Sequence, residues 1–344
     1  MLYGKLRPYL DKAAVAGFDG ICSTDLLVLI PDSNKILKDF LAYVLHSKEF
    51  LRHAVSTTSG TNHPRTSWAA ISKFRFGLPE LAEQKRIVEV LGVVDLAIQK
   101  TDEVVAKTER LKKGLMQMLL TEGIGHKKFN HNKDVGFEIP SEWKVKPAKE
   151  LFYIKGRIGW RGLKRAHFTT EGPYLVTGVD FSDGKIAWKN CVHIPMDKFL
   201  ESPEIFVQKD DVLVTKDGTI GKVAYIDDVP GGEASINAHL LLVRNLKSAD
   251  VHPMFTYYVL QTSYFLNYAK LKQVGTTRAG FSQRAFEDFP FPLPPLGEQK
   301  RIIEVLSTVH RKLEIERQGK LRLKQIKLGL MDLLLTGKVR VRMD

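Results

Sequence analysis

The chain has 344 residues, 44% of them apolar, and its 52 lysines and arginines outnumber 39 aspartates and glutamates for a formal net charge of +13. That length supports two domains with cores of their own, and no apolar run reaches the roughly 18–20 residues a membrane span needs. The positive excess suits a polyanionic partner.

Lys5 and Arg7 come early, but no apolar stretch or small-residue cleavage site follows, so no signal peptide is expected. Cys22 and Cys191 stand apart, with no CxxC or Cys/His cluster. A reducing cytoplasm is the expected compartment, with neither a disulfide framework nor a zinc site.

Four segments are expected in chain order. Residues 1–77 form a partial first domain and residues 78–126 a long helix. Residues 127–292 form a complete second domain, and residues 293–344 a second long helix and tail. In the first segment, Lys5 and Arg7 lie in Leu2-Tyr3-Gly4-Lys5-Leu6-Arg7-Pro8, and Thr61, Asn62 and Arg65 in a Gly/Pro-punctuated loop at 59–66.

The first helix has its start near Pro79, where a missing N–H costs nothing, and Glu83 in its first turn, where the helix dipole favours negative charge. Gly123 marks its end. Its apolar stripe runs Ile87, Leu91, Val94, Ile98, Thr101, Val105, Leu115, Leu119.

In the second domain Phe152–Ile154, Tyr174–Val176, Asp211–Thr215, Val223–Ile226 and Leu240–Val243 read as strands, and residues 253–269 as one helix. The second long helix starts near Pro294, with Glu298 in its first turn, and ends near Gly337. Its stripe is Ile302, Leu306, Val309, Leu313, Leu323, Leu330, Leu334, with Glu316 and Lys320 at seam positions where looser packing or a register shift is expected.

An internal repeat organises all of this. Residues 78–91, LPELAEQKRIVEVL, and 293–306, LPPLGEQKRIIEVL, agree at eleven of fourteen positions with an offset of 215. The same offset matches Phe40, Tyr43 and Phe50 with Phe255, Tyr258 and Phe265. Carried on without a gap, it sets Met1 against Lys216, so the first copy is expected to begin inside a domain whose earlier part is lost or supplied by another chain. Two helices of such length, each with one apolar stripe, are expected to pair as an antiparallel coiled coil. The fold class is therefore α/β (α+β) domains joined by two long helices that form an antiparallel coiled coil.

Catalytic constellations do not assemble. Gly218-Thr219-Ile220-Gly221-Lys222 is too short for a phosphate-binding P-loop and continues into Val223. Asp210, Asp211 and Lys216 lie close in sequence, but no further acid completes a nuclease centre. No Asn/Asp-Pro-Pro-Tyr/Phe, GxSxG or HExxH sequence occurs. Binding chemistry remains. Lys155, Arg157, Trp160, Arg161 and Lys164 sit in a Gly-rich stretch able to approach a groove. Lys216 and Lys222 flank a turn, and Lys272, Thr276, Thr277, Arg278, Gln283 and Arg284 populate a polar loop at 272–284.

The two LPxLxEQKRI segments, Asp211–Lys222, Gly275–Phe291 and Leu2–Pro8 together resemble type I restriction–modification specificity subunits. The resemblance covers almost the whole chain and departs at the start, where the first recognition domain lacks its N-terminal half. It implies a non-catalytic chain that reads a split site on double-stranded DNA, with the paired helices fixing the gap between halves. It also implies docking of two modification (methyltransferase) subunits and a restriction subunit. S-adenosylmethionine, ATP and magnesium are then expected in those partners, and no cofactor or metal in this chain. Other readings are a half-type chain that self-associates or complements another specificity subunit, a DNA-modifying enzyme, and a structural coiled-coil protein.

Overall fold

The computed structural model describes the chain except residues 158–162, 164, 249, 275–279 and 342–344. Trp160, Arg161, Lys164, Thr276, Thr277 and Arg278 lie outside the described residues. In chain order the elements begin with strands β1 (Leu2–Gly4), β2 (Ala13–Ala14) and β3 (Leu26–Val28), then helices α1 (Lys38–Leu45), α2 (Lys48–Ser56), α3 (Trp68–Ile71) and α4 (Leu81–Thr121). Next come β4 (Phe129–Asn132), β5 (Phe137–Pro140), β6 (Lys144–Pro147), β7 (Phe152–Gly156), β8 (Thr169–Val176), β9 (Phe181–Ser182), β10 (Lys185–Ile186), β11 (Val192–His193) and α5 (Met196–Leu200). The chain closes with β12 (Val212–Thr215), β13 (Val223–Tyr225), β14 (Ala234–Ile236), β15 (Leu240–Asn245), α6 (Pro253–Val259), α7 (Ser263–Leu271), β16 (Gln273–Val274), β17 (Gly280–Phe281), α8 (Gln283–Glu287), β18 (Pro290–Leu293) and α9 (Leu296–Leu335).

Contacts divide the chain into two units, residues 1–108 with 312–344, and residues 109–311. The boundaries cut each long helix, so each unit owns a length of both α4 and α9.

In the first unit β1 is the central strand of an antiparallel sheet ordered β2-β1-β3. Phe40 and Val44, one turn apart on α1, face Ile87 and Leu91 of α4 and Met331, Leu334 and Leu335 of α9 in one core. Tyr3, Leu45, Phe50, Ala54 and Ile71 form a second core. Burying each such side chain contributes about 1.5–3 kcal/mol. Ser47 and Ser67 start α2 and α3 by accepting hydrogen bonds from Phe50 N and Ala70 N.

The second unit holds a four-stranded sheet ordered β13-β12-β15-β7 and a three-stranded sheet ordered β11-β8-β14. Val212, Val214, Leu241 and Val243 face a core built with Phe152, Phe255, Phe265, Phe289 and Phe291. Leu213, Leu240 and Leu242 alternate onto the other face, against Val176, Ala234 and Ile236. The expected strands at 152–154, 211–215, 223–226 and 240–243 all form within a residue or two at their ends, and the one expected at 174–176 begins five residues earlier, at Thr169. The single helix expected at 253–269 is two. Thr262 leaves the helical conformation, and its side chain caps α7 by accepting from Phe265 N.

The long helices run 41 and 40 residues, starting just after Pro79 and Pro294 and ending just before Gly123 and Gly337 as expected. Gly123 and Gly337 follow their ends with φ of 70° and 71°, a conformation in which glycine meets no Cβ penalty. Within the first unit they lie antiparallel: Glu83 pairs with Arg340 at 2.6 Å, Asp95 with Lys327 at 2.5 Å, and Asp102 with Lys320. The polar stretch expected to loosen the seam therefore stays in step, because Asp102 meets Lys320 there. Within the second unit the helices are also antiparallel, with Lys112 at 3.1 Å from His310, and Leu119 and Leu120 sharing a core with Ile302 and Leu306.

The repeat is visible in hydrogen bonds as well as residues. Gln84 accepts from Leu37 N and donates to the carbonyls of Lys35 and Pro79; Gln299 accepts from His252 N and donates to those of Asp250 and Pro294. The offset of 215 does not hold to the start of the chain, however. Tyr3 pairs with Ala13 and Leu27 as Val214 pairs with Val223 and Leu241. Lys5, not Met1, is thus the counterpart of Lys216. The loop from Lys5 to Ala13 and the approach to β3 differ in length from their equivalents, and short gaps absorb the difference.

Candidate nucleic-acid interface

In the second unit four strand ends converge. Gly156 closes β7 opposite Leu241, and Thr215 closes β12 opposite Leu240. Lys216 follows at once, its N–H donating to His239 O at 2.9 Å and its carbonyl accepting from Phe281 N at 2.7 Å. Asp217 is bridged to Gly280 and pairs with His239 at 2.7 Å. Thr215 Oγ1 accepts from Lys222 N at 2.9 Å and donates to Thr219 O, closing the turn that carries Lys222 to the surface. Lys155 and Lys216 are half-buried, while Lys222, Lys272 and Arg284 are exposed. Lys272 lies 5.8 Å from the Tyr268 ring, and Lys155 5.7 Å from that of Tyr153.

Two expectations are corrected. Arg157 is only 3% exposed and lines a small cavity of about 40 Å³ with Leu163, Phe168 and His239, so its guanidinium is not presented on an open basic loop. It follows directly on the buried Gly156, which ends β7. Gln283 is committed to the fold: its Oε1 accepts from Gly156 N at 3.1 Å and its Nε2 donates to Glu287 at 2.8 Å. It fixes the loop end.

The first unit repeats the frame with different side chains. Lys5 N donates to Asp25 O at 3.0 Å, and Lys5 O accepts from Thr66 N at 3.0 Å. Arg7, in the left-handed conformation at φ 49°, donates its N–H to Pro64 O at 2.7 Å. Its Nη2 reaches Asn62 O at 3.5 Å. Arg65 Nε donates to Asp25 at 2.9 Å, which holds the Asp25 carboxyl below the usual carboxylate range. Lys5, Arg7, Thr61, Asn62 and Arg65 therefore share one end of the β1 sheet, with Thr61, Asn62 and Arg65 exposed. Sequence reasoning missed Asp25, Asp217 and His239; the only signals were their places in short polar turns ahead of apolar strands.

Asp210 and Asp211 serve the fold. Arg244 clamps the buried Asp211 through Nε at 2.7 Å and Nη2 at 2.8 Å, and Gln208 N adds a third bond. Burial raises the Asp211 carboxyl nonetheless, with Arg244 opposing. Asp210 accepts from the Tyr225 hydroxyl. Among the described residues no group of three or more His, Cys, Asp or Glu is placed to hold a metal ion, and no helix is long and apolar enough to cross a membrane.

Two basic, loop-crowned sheet ends on one repeated frame suit a polyanionic partner. A family model described as type I restriction modification DNA specificity domain matches residues 9–107 and 140–325. The type I restriction enzyme MjaVIII specificity subunit of Methanocaldococcus jannaschii is 30% identical over 332 residues, covering 95% of this chain and 76% of that protein. The putative MjaX specificity subunit of the same organism is 28% identical over 319 residues, covering 92% and 72%. The fold is shared with a chain from a structure describing complex assembly and conformational transition of the type I R-M system, at TM-score 0.63, 21% identity and coverage of 98% and 82%. It is also shared with the HsdS subunit from Thermoanaerobacter tengcongensis, at TM-score 0.50, 20% identity and coverage of 98% and 80%. The chain belongs to the type I restriction–modification DNA specificity family, and its function is DNA sequence recognition.

Proposed function

We propose that each unit reads one half of a split DNA site and that the chain brings modification and restriction subunits to it. The carrying observation is the repeated frame: Lys5 and Lys216 occupy the same strand end, and each holds its reading loop through the same backbone bond to Thr66 or Phe281. The loop side chains differ between the two, so the halves of the site would differ in sequence. Lys5, Arg7, Lys155, Lys216, Lys222, Lys272 and Arg284 supply phosphate contacts, and Thr61, Asn62 and Arg65 base-edge contacts. The same function is proposed for Trp160, Arg161, Lys164, Thr276, Thr277 and Arg278.

In this reading the chain performs no chemistry. S-adenosylmethionine, ATP and magnesium belong to the partner subunits, two of which are methyltransferases, and the complex works in the cytoplasm.

The test is selection from a randomised duplex pool with the chain assembled with its modification subunit. Recovery of a split motif supports the proposal, and Lys216→Ala should weaken binding roughly evenly across sequences and lower the salt slope by about 1. A single short motif would restrict reading to one unit. An assembled complex that enriches nothing would overturn the proposal.

A further inference from the structure

Asp25 is an acid set among the cations at the loop end of the first unit. The hydrogen bond from Arg65, and then the charges of Arg65, Lys5 and Lys12, favour its ionised form. On a surface that did no more than neutralise phosphates, such an acid would oppose binding by repelling them. It does little for the fold either. The Arg65 and Asp25 side chains are 44% and 38% exposed, and an ion pair so open to water adds little stability.

The geometry of the pair points elsewhere. Arg65 Nε donates to Asp25 Oδ1 at 2.9 Å and Nη2 reaches Oδ2 at 3.5 Å, so the carboxylate takes the side edge of the guanidinium. Nη1 donates to His63 O at 3.3 Å. A guanidinium has five N–H donors in one plane, and among the described residues these three bonds leave two, one on Nη1 and one on Nη2. Those two lie side by side at the outer end of the plane and form a second fork. The backbone fixes both members of the pair. Arg65 exchanges two hydrogen bonds with Ser59, each at 3.0 Å, and Asp25 O accepts from Lys5 N at 3.0 Å. Asp25 N donates to Ser23 Oγ at 3.2 Å.

The second unit pairs an acid with a base at the same place, with the roles exchanged. His239 stands where Asp25 does, its carbonyl accepting from Lys216 N, and its Nδ1 lies 2.7 Å from Asp217. An acid–base pair at this strand end is thus part of the repeated frame, and the first unit builds it around an arginine.

We propose that Asp25 is a positioning residue for base reading, holding Arg65 so that its outer fork takes O6 and N7 of a guanine in the major groove. Two parallel donors match the two acceptors that guanine presents there, and adenine, with an amino donor in place of O6, is refused. The inference rests on the reading of DNA by the first unit proposed above, and names the base that this loop selects.

The experiment is selection from a randomised duplex pool, with the chain assembled with its modification subunit, for the wild type, Arg65→Lys, Asp25→Ala and the double variant. Arg65→Lys keeps the charge and loses the fork. It should cut the preference for one guanine in one half-site by about tenfold or more and leave the other half-site unchanged. Asp25→Ala should relax the same position, and the double variant should do no worse than either single one. Affinity of Asp25→Ala for random duplex should hold or rise, since an acid has left a basic surface. A merely structural role for Asp25 would lower affinity for all sequences alike, together with the midpoint of urea unfolding, and so overturns the proposal. A motif that Arg65→Lys relaxes and Asp25→Ala leaves intact overturns the positioning role. A split motif intact in every variant overturns the assignment of the guanine as well, and leaves DNA reading by both units standing. A wild type that enriches a single short motif, unmoved by any variant, overturns this inference together with the reading on which it rests.

Discussion

Gln84 and Gln299, 215 positions apart, make the same three backbone hydrogen bonds in the two units, each at 2.8 or 2.9 Å. Both side chains are fully buried, so each amide ties a loop to the start of a long helix where water cannot substitute. Replacing Gln299 by leucine leaves His252 N and the carbonyls of Asp250 and Pro294 without that partner. A loss of about 1–3 kcal/mol is expected, read as a lower midpoint in urea unfolding. Gln84→Leu should cost a similar amount, and a loss confined to one of the two would refute the equivalence.

Glu298 is a hub in the second unit, accepting from Ile124 N at 2.9 Å, His126 Nε2 at 2.8 Å and Trp143 Nε1 at 3.1 Å, while only 4% exposed. Glu298→Gln keeps the shape but removes the charge and changes the acceptor pattern. Destabilisation of about 1–3 kcal/mol is expected, with a changed Trp143 indole N–H resonance in NMR. An unmoved resonance would show that the bond does not form.

The thiols should separate cleanly. Cys191 is 8% exposed and burial pushes its thiol up to about 12, whereas Cys22 is exposed. Since the thiolate is the nucleophile, a maleimide at neutral pH should label Cys22 within minutes and Cys191 only after denaturation. Mass spectrometry of the labelled peptides checks this, and native labelling of Cys191 would contradict the packing around it.

His46 lies 2.9 Å from Asp11, whose hydrogen bond raises the imidazole above its ordinary value against the opposing effects of burial and Lys327. The folded form therefore binds its proton more tightly than the unfolded chain. The stabilisation is fully present below the unfolded pKa, near 6.5, and is lost as pH rises through the higher folded value. Stability of the wild-type chain should fall over that interval, and Asp11→Asn should flatten the fall. An NMR titration of the His46 ring giving a midpoint at or below 6.5 would remove the basis for it.

Asp211→Ala removes the carboxylate that accepts from Arg244 Nε and Nη2 and leaves that guanidinium its bond to Phe206 O. Losing a charge-assisted bond of this kind costs about 1–3 kcal/mol, so a lower midpoint in urea unfolding is expected. Asp210→Ala, at the turn beside it, should be milder. Equal effects would argue against the clamp.

The sequence by itself determined what periodicity and repetition encode. Ile87, Leu91, Ile302 and Leu306 announce two long amphipathic helices, and the LPxLxEQKRI segments announce that they are copies. The short apolar runs Val212–Thr215 and Leu240–Val243, set off by turn residues such as Asp217-Gly218 and Gly231-Gly232, announce buried strands. The tertiary structure alone decided matters that rest on contacts between distant residues. That Gln283 bonds Gly156 and that Asp102 meets Lys320 across the seam depend on partners 127 and 218 positions away, and the burial of Arg157 on the packing of a whole sheet end. The equivalence of Lys5 with Lys216 was likewise hidden, since loops of unequal length shift the sequence offset while backbone hydrogen bonds preserve the strand register.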